Sequence, residues 1–529
     1  MYTNKVLKFL KKIEQKCEKY VEILVLWLII IILRIPNFFE PYWYGDEAIY
    51  LTLGTGLKQG LRLYTDIIDH KTPLIYYLAM VPNQFYFRLL NLGWMLVTTA
   101  LFFLVAKQLF KKNKLAFIGS LIFVLLTTLP WLEGNIPNGE LFVSGFVMMG
   151  LWLLSKTALW KNFLTNKAYQ ALVMVPKEAL LLIATGIFFG LGVLTKVPGL
   201  LDFGTALLLG WFALVAVLIN QVTDWPKRLK ICWQFLVKSS WLFLGLLIPI
   251  GLSVIYFISR GSGQDYLTYG LLYNFRYAST WQLQLTNPLL EFLFTFQGKV
   301  LALISILVTL SFCKKYTPRF QLIAGWFTLA MFATLLSNRS YPHYFIQLVP
   351  PFTLLLIELW EAINQKLKKA ITVTALTLLI LPLIAGWLLN LRPYSMSEYY
   401  GKFIKLITKQ ITIEQYDNSF DPLVKDNYAV AEIVRGLNGN RIFIWGTNAL
   451  LYALTQTTPT SRFTVSFHIK DFRDYQRTLD KIKTEKPKLI ILMKDEKEKF
   501  PGLQEFLDSY YYPNSQYPSM TLWLIQKYQ

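Results

Sequence analysis

The sequence predicts a polytopic α-helical membrane protein of about eleven transmembrane helices, followed by a small C-terminal α/β domain. Hydrophobic residues make up 54% of the 529 residues and charged residues only 16%, against roughly 25% charged residues in an ordinary soluble domain. Apolar runs close to the ~20 residues needed to cross a bilayer recur along most of the chain. These observations exclude a wholly soluble, a disordered or a fibrous protein.

A lysine-rich segment stands directly before the first apolar run, VEILVLWLIIIIL. A signal peptide would end in a small-residue cleavage site. The residues that follow are instead RIPNFFEPYWYGDE, so we predict an uncleaved anchor. Ten further spans are predicted near 85–106, 115–132, 140–155, 179–195, 198–220, 234–258, 299–313, 320–337, 342–360 and 371–390.

Loop charges predict the orientation of these spans. With the N-terminus in the cytoplasm, every cytoplasmic loop is basic, and the opposite loops hold the acidic and aromatic residues, as the positive-inside rule expects. We therefore predict a basic cytoplasmic N-terminus at 1–20 and a membrane domain at 21–390, with a first outer loop at 34–84. An extracytoplasmic domain is predicted at 391–529.

The net charge of +21 follows from these basic loops, so nucleic acid is not predicted as a partner. Cys17, Cys232 and Cys313 show no motif spacing, which predicts neither a disulfide framework nor a zinc site.

The C-terminal domain reads as alternating strands and helices. Short buried strands are predicted at GNRIFIWG, KPKLIILM and TLWLIQK, with helices near 470–485 and 499–510. No glycine-rich phosphate loop follows the first strand, so no nucleotide-binding role is predicted.

The first outer loop carries adjacent acids, Asp46 and Glu47, after a stretch rich in tyrosine and tryptophan. A carboxylate near the hydrocarbon edge is partly desolvated, which raises its pKa and makes it a better base. Acidic residues also cap helix N-termini well. Residue chemistry alone leaves a catalytic role and a capping role open.

Several motifs follow one another in a fixed order. The first outer loop contains R-x-P, an aromatic run into DE-x-x-Y, G-x-x-x-Y-x-D and D-x-K-x-P-L, and later segments read PNGELF, GLGVLTKVPGLL, NRSYPHYFIQLVPP and RIFIWGTNALLYALTQTTPTSRF. Together they resemble the GT-C glycosyltransferase superfamily, closest to the branch of bacterial protein O-mannosyltransferase and aminoarabinose transferase relatives. Their order, spacing and predicted side carry this resemblance from about residue 21 to the C-terminus.

The resemblance implies an inverting glycosyltransferase that moves a sugar from a polyprenyl-phosphate donor to an acceptor hydroxyl on the outer face. Asp46 matches the acidic residue taken as the general base. Lys71 would meet the charge that grows on the leaving phosphate. The family often has an acidic residue or an aromatic before this lysine, where this chain has His70.

Further cations on the predicted outer side are Arg276, Arg339, His343 and Lys196. Arginine can grip phosphate oxygens in a bidentate way, and we count all four as candidate donor-phosphate ligands. The alternatives are interfacial snorkelling for the two arginines and a helix-end lysine for Lys196.

Candidate contacts to the sugar or acceptor come from the same loops: Glu47, Asp69, His70, Asn138, Glu140 and Tyr344. For Asn138 and Glu140 the alternative is helix capping. For Tyr344, as for Trp43 and Tyr44, it is the aromatic belt of any membrane protein.

No cofactor and no metal are predicted, although the acids Asp46, Glu47 and Asp69 beside His70 would suit a divalent cation. The predicted partners are the lipid-linked donor, the bilayer and a lipid, glycan or protein acceptor, in a bacterial inner or plasma membrane. The rival function is a transporter or flippase of a lipid-linked sugar, for which Asp202 and Lys238 are the main ionisable residues near spans.

Overall fold

A computed structural model describes residues 21–526 apart from 221, 223, 280, 282, 365–368 and 438. The predicted basic N-terminus, with Cys17, lies outside the described residues. The described chain is mostly helical. Its helices are α1 Val21–Phe39, α2 Gly45–Lys58, α3 Leu74–Leu78, α4 Gln84–Phe110, α5 Asn113–Thr128, α6 Gly139–Leu154, α7 Ala158–Leu164, α8 Ala168–Leu172, α9 Glu178–Thr195, α10 Gly199–Asn220, α11 Trp225–Ser259, α12 Gly263–Asp265, α13 Tyr273–Ser279, α14 Pro288–Phe294, α15 Phe296–Phe312, α16 Pro318–Leu335, α17 Pro342–Asn364, α18 Lys369–Leu388, α19 Met396–Ile407, α20 Ile413–Asn418, α21 Leu423–Gly436, α22 Ala449–Thr455, α23 Ser466–Phe472, α24 Tyr475–Glu485 and α25 Leu503–Tyr510.

Each predicted span coincides with a helix, but fewer helices than eleven are long enough to cross a bilayer alone. Among the described residues, seven helices are long and apolar enough, or up to nine if two bent pairs each count as one span. The bent pairs are α6 with α7, at 79°, and α14 with α15, at 82°. Helices α5, α6 and α15 have only 16, 16 and 17 residues, and at 1.5 Å per residue such helices fall short of a ~30 Å core.

The membrane helices form one large apolar core, and α9 packs closely against α11. A Cβ atom added at Gly186 would lie 2.2 Å from the Leu242 carbonyl oxygen, and one at Gly245 would lie 2.1 Å from that of Ile183. Small residues at facing positions let helix backbones approach in this way. Glycine at these two positions is therefore a packing requirement.

The helices expected in the first outer loop are α2 and α3. Most of α2 is buried, including Tyr50, Leu51 and Leu53, and the helix packs against α3 and α22. The loop is therefore enclosed between the membrane helices and the C-terminal part of the chain.

The C-terminal part contains a five-stranded mixed sheet in the order β2-β1-β3-β5-β4. Strand β1 pairs in parallel with β2 and β3, and β5 pairs antiparallel with β3 and β4. The predicted strands are β1, β3 and β5. Sequence patterns missed the other two because β2 has only two residues and β4, YYPNSQ, contains proline and asparagine. The strands are β1 Arg441–Trp445, β2 Thr458–Pro459, β3 Leu489–Met493, β4 Tyr511–Gln516 and β5 Met520–Ile525.

Candidate active site

A cavity of about 1430 Å³ lies where the first outer loop, the loop before α6, the start of α17 and the C-terminal part meet. Nine of the twelve predicted site residues line it: Asp46, Asp69, His70, Lys71, Glu140, Lys196, Arg339, His343 and Tyr344. Residues that were not predicted also contribute charge: Glu133, Glu291, Lys299, Asp421 and Asp471.

One wall of the cavity holds Lys71 between two carboxylates. Its Nζ atom lies 3.5 Å from Asp46 Oδ1 and 3.5 Å from Asp69 Oδ2. The side chain of Asp46 is 28% exposed, whereas that of Lys71 is 8% exposed. Asp46 and Glu47 both lie in the first turn of α2, which has no side-chain capping hydrogen bond within the described chain. Asp46 therefore combines a position at a helix start with a place in the cavity lining.

We expected burial to dominate the pKa of Asp46 and to raise it, but the structure differs. Burial favours a raised pKa, but the nearby charges of Lys71 and His343 outweigh it, and the pKa of Asp46 is lowered overall. For Asp69 the same competition between burial and the charge of Lys71 leaves its pKa well below the usual range. Both carboxylates are therefore ionised at neutral pH.

Two buried tyrosines fix the backbone that carries Lys71. The Tyr76 hydroxyl donates to Asp69 Oδ2 at 2.6 Å and accepts from the Lys71 backbone N–H at 3.0 Å. The Tyr64 hydroxyl donates to the Lys71 carbonyl oxygen at 2.8 Å. Tyr64 itself has a φ of 69°, a left-handed conformation that is strained for a bulky residue. The surrounding packing holds this strained turn in place.

Asp69, His70 and His468 bring three potential metal ligands together. The His70 Nδ1 atom lies 3.2 Å from Asp69 Oδ1 and 3.2 Å from His468 Nε2, and the last two atoms are 3.5 Å apart. All three residues are buried, and burial lowers the pKa of His468 to about 3. Neutral imidazoles with a carboxylate suit a metal ion such as zinc. The sequence alone predicted no metal site.

A second ion pair in the cavity lining joins Glu140 and Lys196. The Lys196 Nζ atom also lies 4.1 Å from the centre of the Tyr344 ring. The three residues come from α6, from the turn between α9 and α10, and from the start of α17. Three of the motifs quoted from separate parts of the sequence therefore meet at one point.

Glu133 was missed by the sequence argument, although it precedes NIPNGE in the same predicted outer loop. The Tyr44 hydroxyl donates to Glu133 Oε2 at 2.5 Å, and His343 Nδ1 also contacts this oxygen. Glu133 has a φ of 57°, an uncommon conformation for a residue other than glycine.

The Tyr277 ring contacts two of the predicted site residues, His70 and Arg339. The His70 ring stacks on it with centroids 4.4 Å apart, and the Arg339 guanidinium carbon lies 4.0 Å from its centre. Arg276, the preceding residue on α13, is exposed and does not line the cavity within the described chain.

Glu47 and Asn138 are buried away from the cavity as the described residues define it. An Arg88 guanidinium nitrogen lies 2.7 Å from Glu47 Oε2, and the Gln84 side-chain amide donates to the same oxygen at 3.0 Å. Asn138 is the N-cap residue of α6, but its side chain makes no capping hydrogen bond.

The two ionisable residues near spans are held by local partners. Asp202 accepts hydrogen bonds from the Trp326 indole at 2.8 Å and the Gln347 amide at 2.6 Å. Lys238 lies 2.6 Å from Glu178 Oε2. Neither residue lines the cavity in the part of the chain that is described, so they form no continuous charged path with it.

No protein-family model matches the chain, and no curated protein matches it. Solved structures do resemble it. ArnT from Cupriavidus metallidurans, in the apo state, gives a TM-score of 0.54 at 12% identity, covering 96% of this chain and 98% of that one. The same protein bound to undecaprenyl phosphate gives 0.50 at 11% identity, with the same coverage. ArnT is an aminoarabinose transferase, and the chain thus has the fold of ArnT, as the resemblance to the GT-C glycosyltransferases implied.

Proposed function

We propose that the protein is a glycosyltransferase that moves a sugar from a polyprenyl-phosphate-linked donor to an acceptor hydroxyl. The observation that carries this proposal is the Asp46 carboxylate 3.5 Å from the Lys71 ammonium in a single large cavity. Groups of opposite charge suit a reaction in which one oxygen loses a proton while another gains negative charge. The ArnT structure that contains undecaprenyl phosphate supports the choice of carrier.

Asp46 acts as the general base. Its carboxylate accepts the proton of the acceptor hydroxyl as that oxygen bonds to the anomeric carbon of the sugar. The bond between this carbon and the phosphate oxygen breaks on the opposite face, so the configuration inverts. The ionised state of Asp46 and its partial exposure to the cavity support this role.

Lys71 binds the phosphate of the donor. A phosphate that approaches Lys71 competes with Asp46 for the ammonium, and Lys71 is a charge that lowers the Asp46 pKa. Donor binding therefore strengthens the base at the moment when it is needed. Lys196 and Arg339, which line the same cavity, supply further positive charge.

The outer face of a bacterial inner or plasma membrane is the proposed location of transfer. The basic loops predicted on the other side support it, with the N-terminus in the cytoplasm and residues 391–529 outside. The acceptor is a lipid, a glycan or a protein, since the acceptor pocket depends on the site more than on the fold.

The test measures sugar transfer by purified protein from a radiolabelled polyprenyl-phosphate hexose to a membrane extract. We expect Asp46→Asn and Lys71→Ala each to reduce transfer by roughly 10²-fold or more. The matched control is Asp66→Asn, because Asp66 lies in the same loop and pairs with Arg62 at the surface. The control should transfer within about twofold of wild type.

Full activity in folded Asp46→Asn would contradict the role of this residue. If the wild type consumes no donor across several sugars, the enzymatic proposal fails as well. Transport of a lipid-linked sugar, measured in reconstituted vesicles, then becomes the function to test.

A further inference from the structure

Another set of polar side chains, apart from those around Asp46 and Lys71, lines the cavity where the bend between α14 and α15 meets the end of α16. Two contacts join these elements. The Asn338 amide donates to the Phe294 carbonyl oxygen at 3.0 Å, and the Lys299 ammonium donates to that of Leu335 at 2.6 Å. The turn after α16 is thereby tied to the bend between α14 and α15.

Lys299 is a buried cation, with 7% of the residue exposed. Its Nζ atom donates to the carbonyl oxygens of Leu335, at 2.6 Å, and Leu336, at 3.4 Å. An ammonium has three N–H donors, so one remains for a ligand in the cavity. No carboxylate lies within 4.0 Å of it among the described residues. The ammonium also offsets the partial negative charge at the end of α16, which would otherwise repel an anion.

Ser337 provides an independent sign of a ligand. The residue lines the cavity and is only 7% exposed, yet its hydroxyl finds no hydrogen-bond partner in the described chain. An unsatisfied buried hydroxyl destabilises the fold, unless a bound molecule supplies the missing partner. Arg339, two residues later, places a second positive charge on the cavity wall.

The same part of the cavity reaches the apolar outer surface of the protein. Trp281 and Phe296 line the cavity but are 50% and 63% exposed. On the neighbouring α14, Leu289 and Phe292 are 67% and 42% exposed. The bent pair of α14 and α15 is apolar enough to count as a membrane span. The cavity therefore has an apolar mouth with a cationic inner edge, which matches a lipid tail joined to a phosphate.

We propose that Lys299, Ser337 and Arg339 form an anion site for the phosphate of the polyprenyl carrier as it passes between the membrane and the cavity. This inference rests on the proposed function for the identity of the carrier. Lys299 differs from Lys71 and Lys196, whose charges are each paired with carboxylates. Glu291 also lines this region, but it is exposed and its charge is screened by solvent.

The test measures equilibrium binding of farnesyl phosphate to the purified full chain in detergent, without any sugar. We expect Lys299→Met to weaken binding about tenfold, because a charge-assisted hydrogen bond is lost. Ser337→Ala should weaken it about threefold to fivefold. Ser337→Ala should also unfold at the same temperature as wild type or a higher one, because it removes an unsatisfied hydroxyl. A purely structural serine would not combine these two results.

Lys58→Met is the matched control. Lys58 also donates to a backbone carbonyl oxygen, that of Val81 at 2.6 Å, but it does not line the cavity within the described residues. The affinity of Lys58→Met for farnesyl phosphate should equal that of wild type. If Lys299→Met does not fold, Ser337→Ala decides the question alone.

Binding of three ligands distinguishes a site for a lipid phosphate from a site for the free phosphate ion. Farnesyl phosphate should bind more tightly than either farnesol or inorganic phosphate. Equal binding of inorganic phosphate would assign the site to the free ion and overturn the lipid assignment. Wild-type affinity in folded Lys299→Met and Ser337→Ala would overturn the inference while leaving the proposed function intact. Failure of the wild type to bind farnesyl phosphate, together with absent transfer, would overturn both.

Discussion

Lys71 is shared by Asp46 and Asp69, and this sharing determines how the proposed base titrates. Burial favours a high pKa for Asp46, but the charge of Lys71, with that of His343, lowers it overall. A base with a low pKa is a weak one in the resting protein. Asp46 also stays ionised over the whole physiological pH range. A donor phosphate that binds Lys71 therefore strengthens a base that is already deprotonated.

Replacing Lys71 should therefore change the pH dependence of transfer. The ionised form of Asp46 is the active one, so kcat/KM falls as the pH drops through its pKa. In wild type this fall should lie below about pH 4, near or under the ordinary aspartate value. In Lys71→Gln the charge that lowers the Asp46 pKa is gone and burial remains, so the fall should move to a higher pH. A pH profile of residual transfer measures it, and an unmoved acid limb would contradict the coupling.

The sequence could name Asp46, Lys71, Lys196 and Glu140 as candidates because their motifs follow a known order. It could not predict Glu133, Lys299 or His468. His468 belongs to this group of residues only because the fold brings it 3.2 Å from His70 across 398 residues of chain. Contacts of that kind leave no trace in periodicity or local spacing.

Helix α2 is the element that presents Asp46, and a buried ion pair fixes it to α4. Glu47 and Arg88 are each 1% exposed at the side chain and lie 2.7 Å apart. Asp46 and Glu47 are neighbours in sequence, but on the helix they face different partners. The sequence correctly placed both at a helix start and could not tell which one faced the cavity.

Glu47→Gln should destabilise the protein without removing its chemistry. It removes the nearer of the two carboxylates that compensate the buried Arg88 charge and leaves Glu40, 3.4 Å away, as the other. The loss costs roughly 3 kcal/mol or less, so the unfolding temperature should drop. Transfer per folded molecule should stay within about threefold of wild type. The matched control is Glu414→Gln, at an exposed position in the first turn of α20, which should change neither quantity. A tenfold loss of transfer in folded Glu47→Gln would instead place this residue in the chemistry.

The helices were easier to locate than their lengths and bends. Hydropathy locates apolar segments, and each predicted span holds a helix. The 82° bend between α14 and α15 arises at one extended residue, Thr295, whose hydroxyl accepts from the Gly298 backbone N–H at 3.1 Å. Composition averaged over a window cannot register a single such residue, so the bend could not be predicted.

The first outer loop and the C-terminal part form one continuous structure around the cavity. The Ile68 backbone N–H donates to the Arg462 carbonyl oxygen at 2.7 Å. The Gln456 amide donates to the Pro82 carbonyl oxygen, also at 2.7 Å. Asp421 and Asp471 reach the cavity itself. The sequence predicted a separate small domain here and left its role open.

Removing residues 391–529 should therefore abolish transfer. The truncated chain loses the partners of the segment that carries Asp69, His70 and Lys71 as well as part of the cavity wall. Transfer by detergent-purified truncated protein measures this, with a full-length chain cut by a site-specific protease near residue 391 as control. The cut chain keeps every contact and should remain active. Normal transfer by the truncated protein would make the C-terminal part auxiliary.

The pairing of His70 with His468 also affects when the site can assemble during synthesis of the chain. The ribosome makes the second residue 398 positions after the first, which at 5–20 residues per second is a delay of roughly 20–80 s. During that interval the membrane helices can insert while the lysine-bearing loop still lacks its last contacts. We therefore expect the proposed transfer activity to begin only when synthesis is nearly finished.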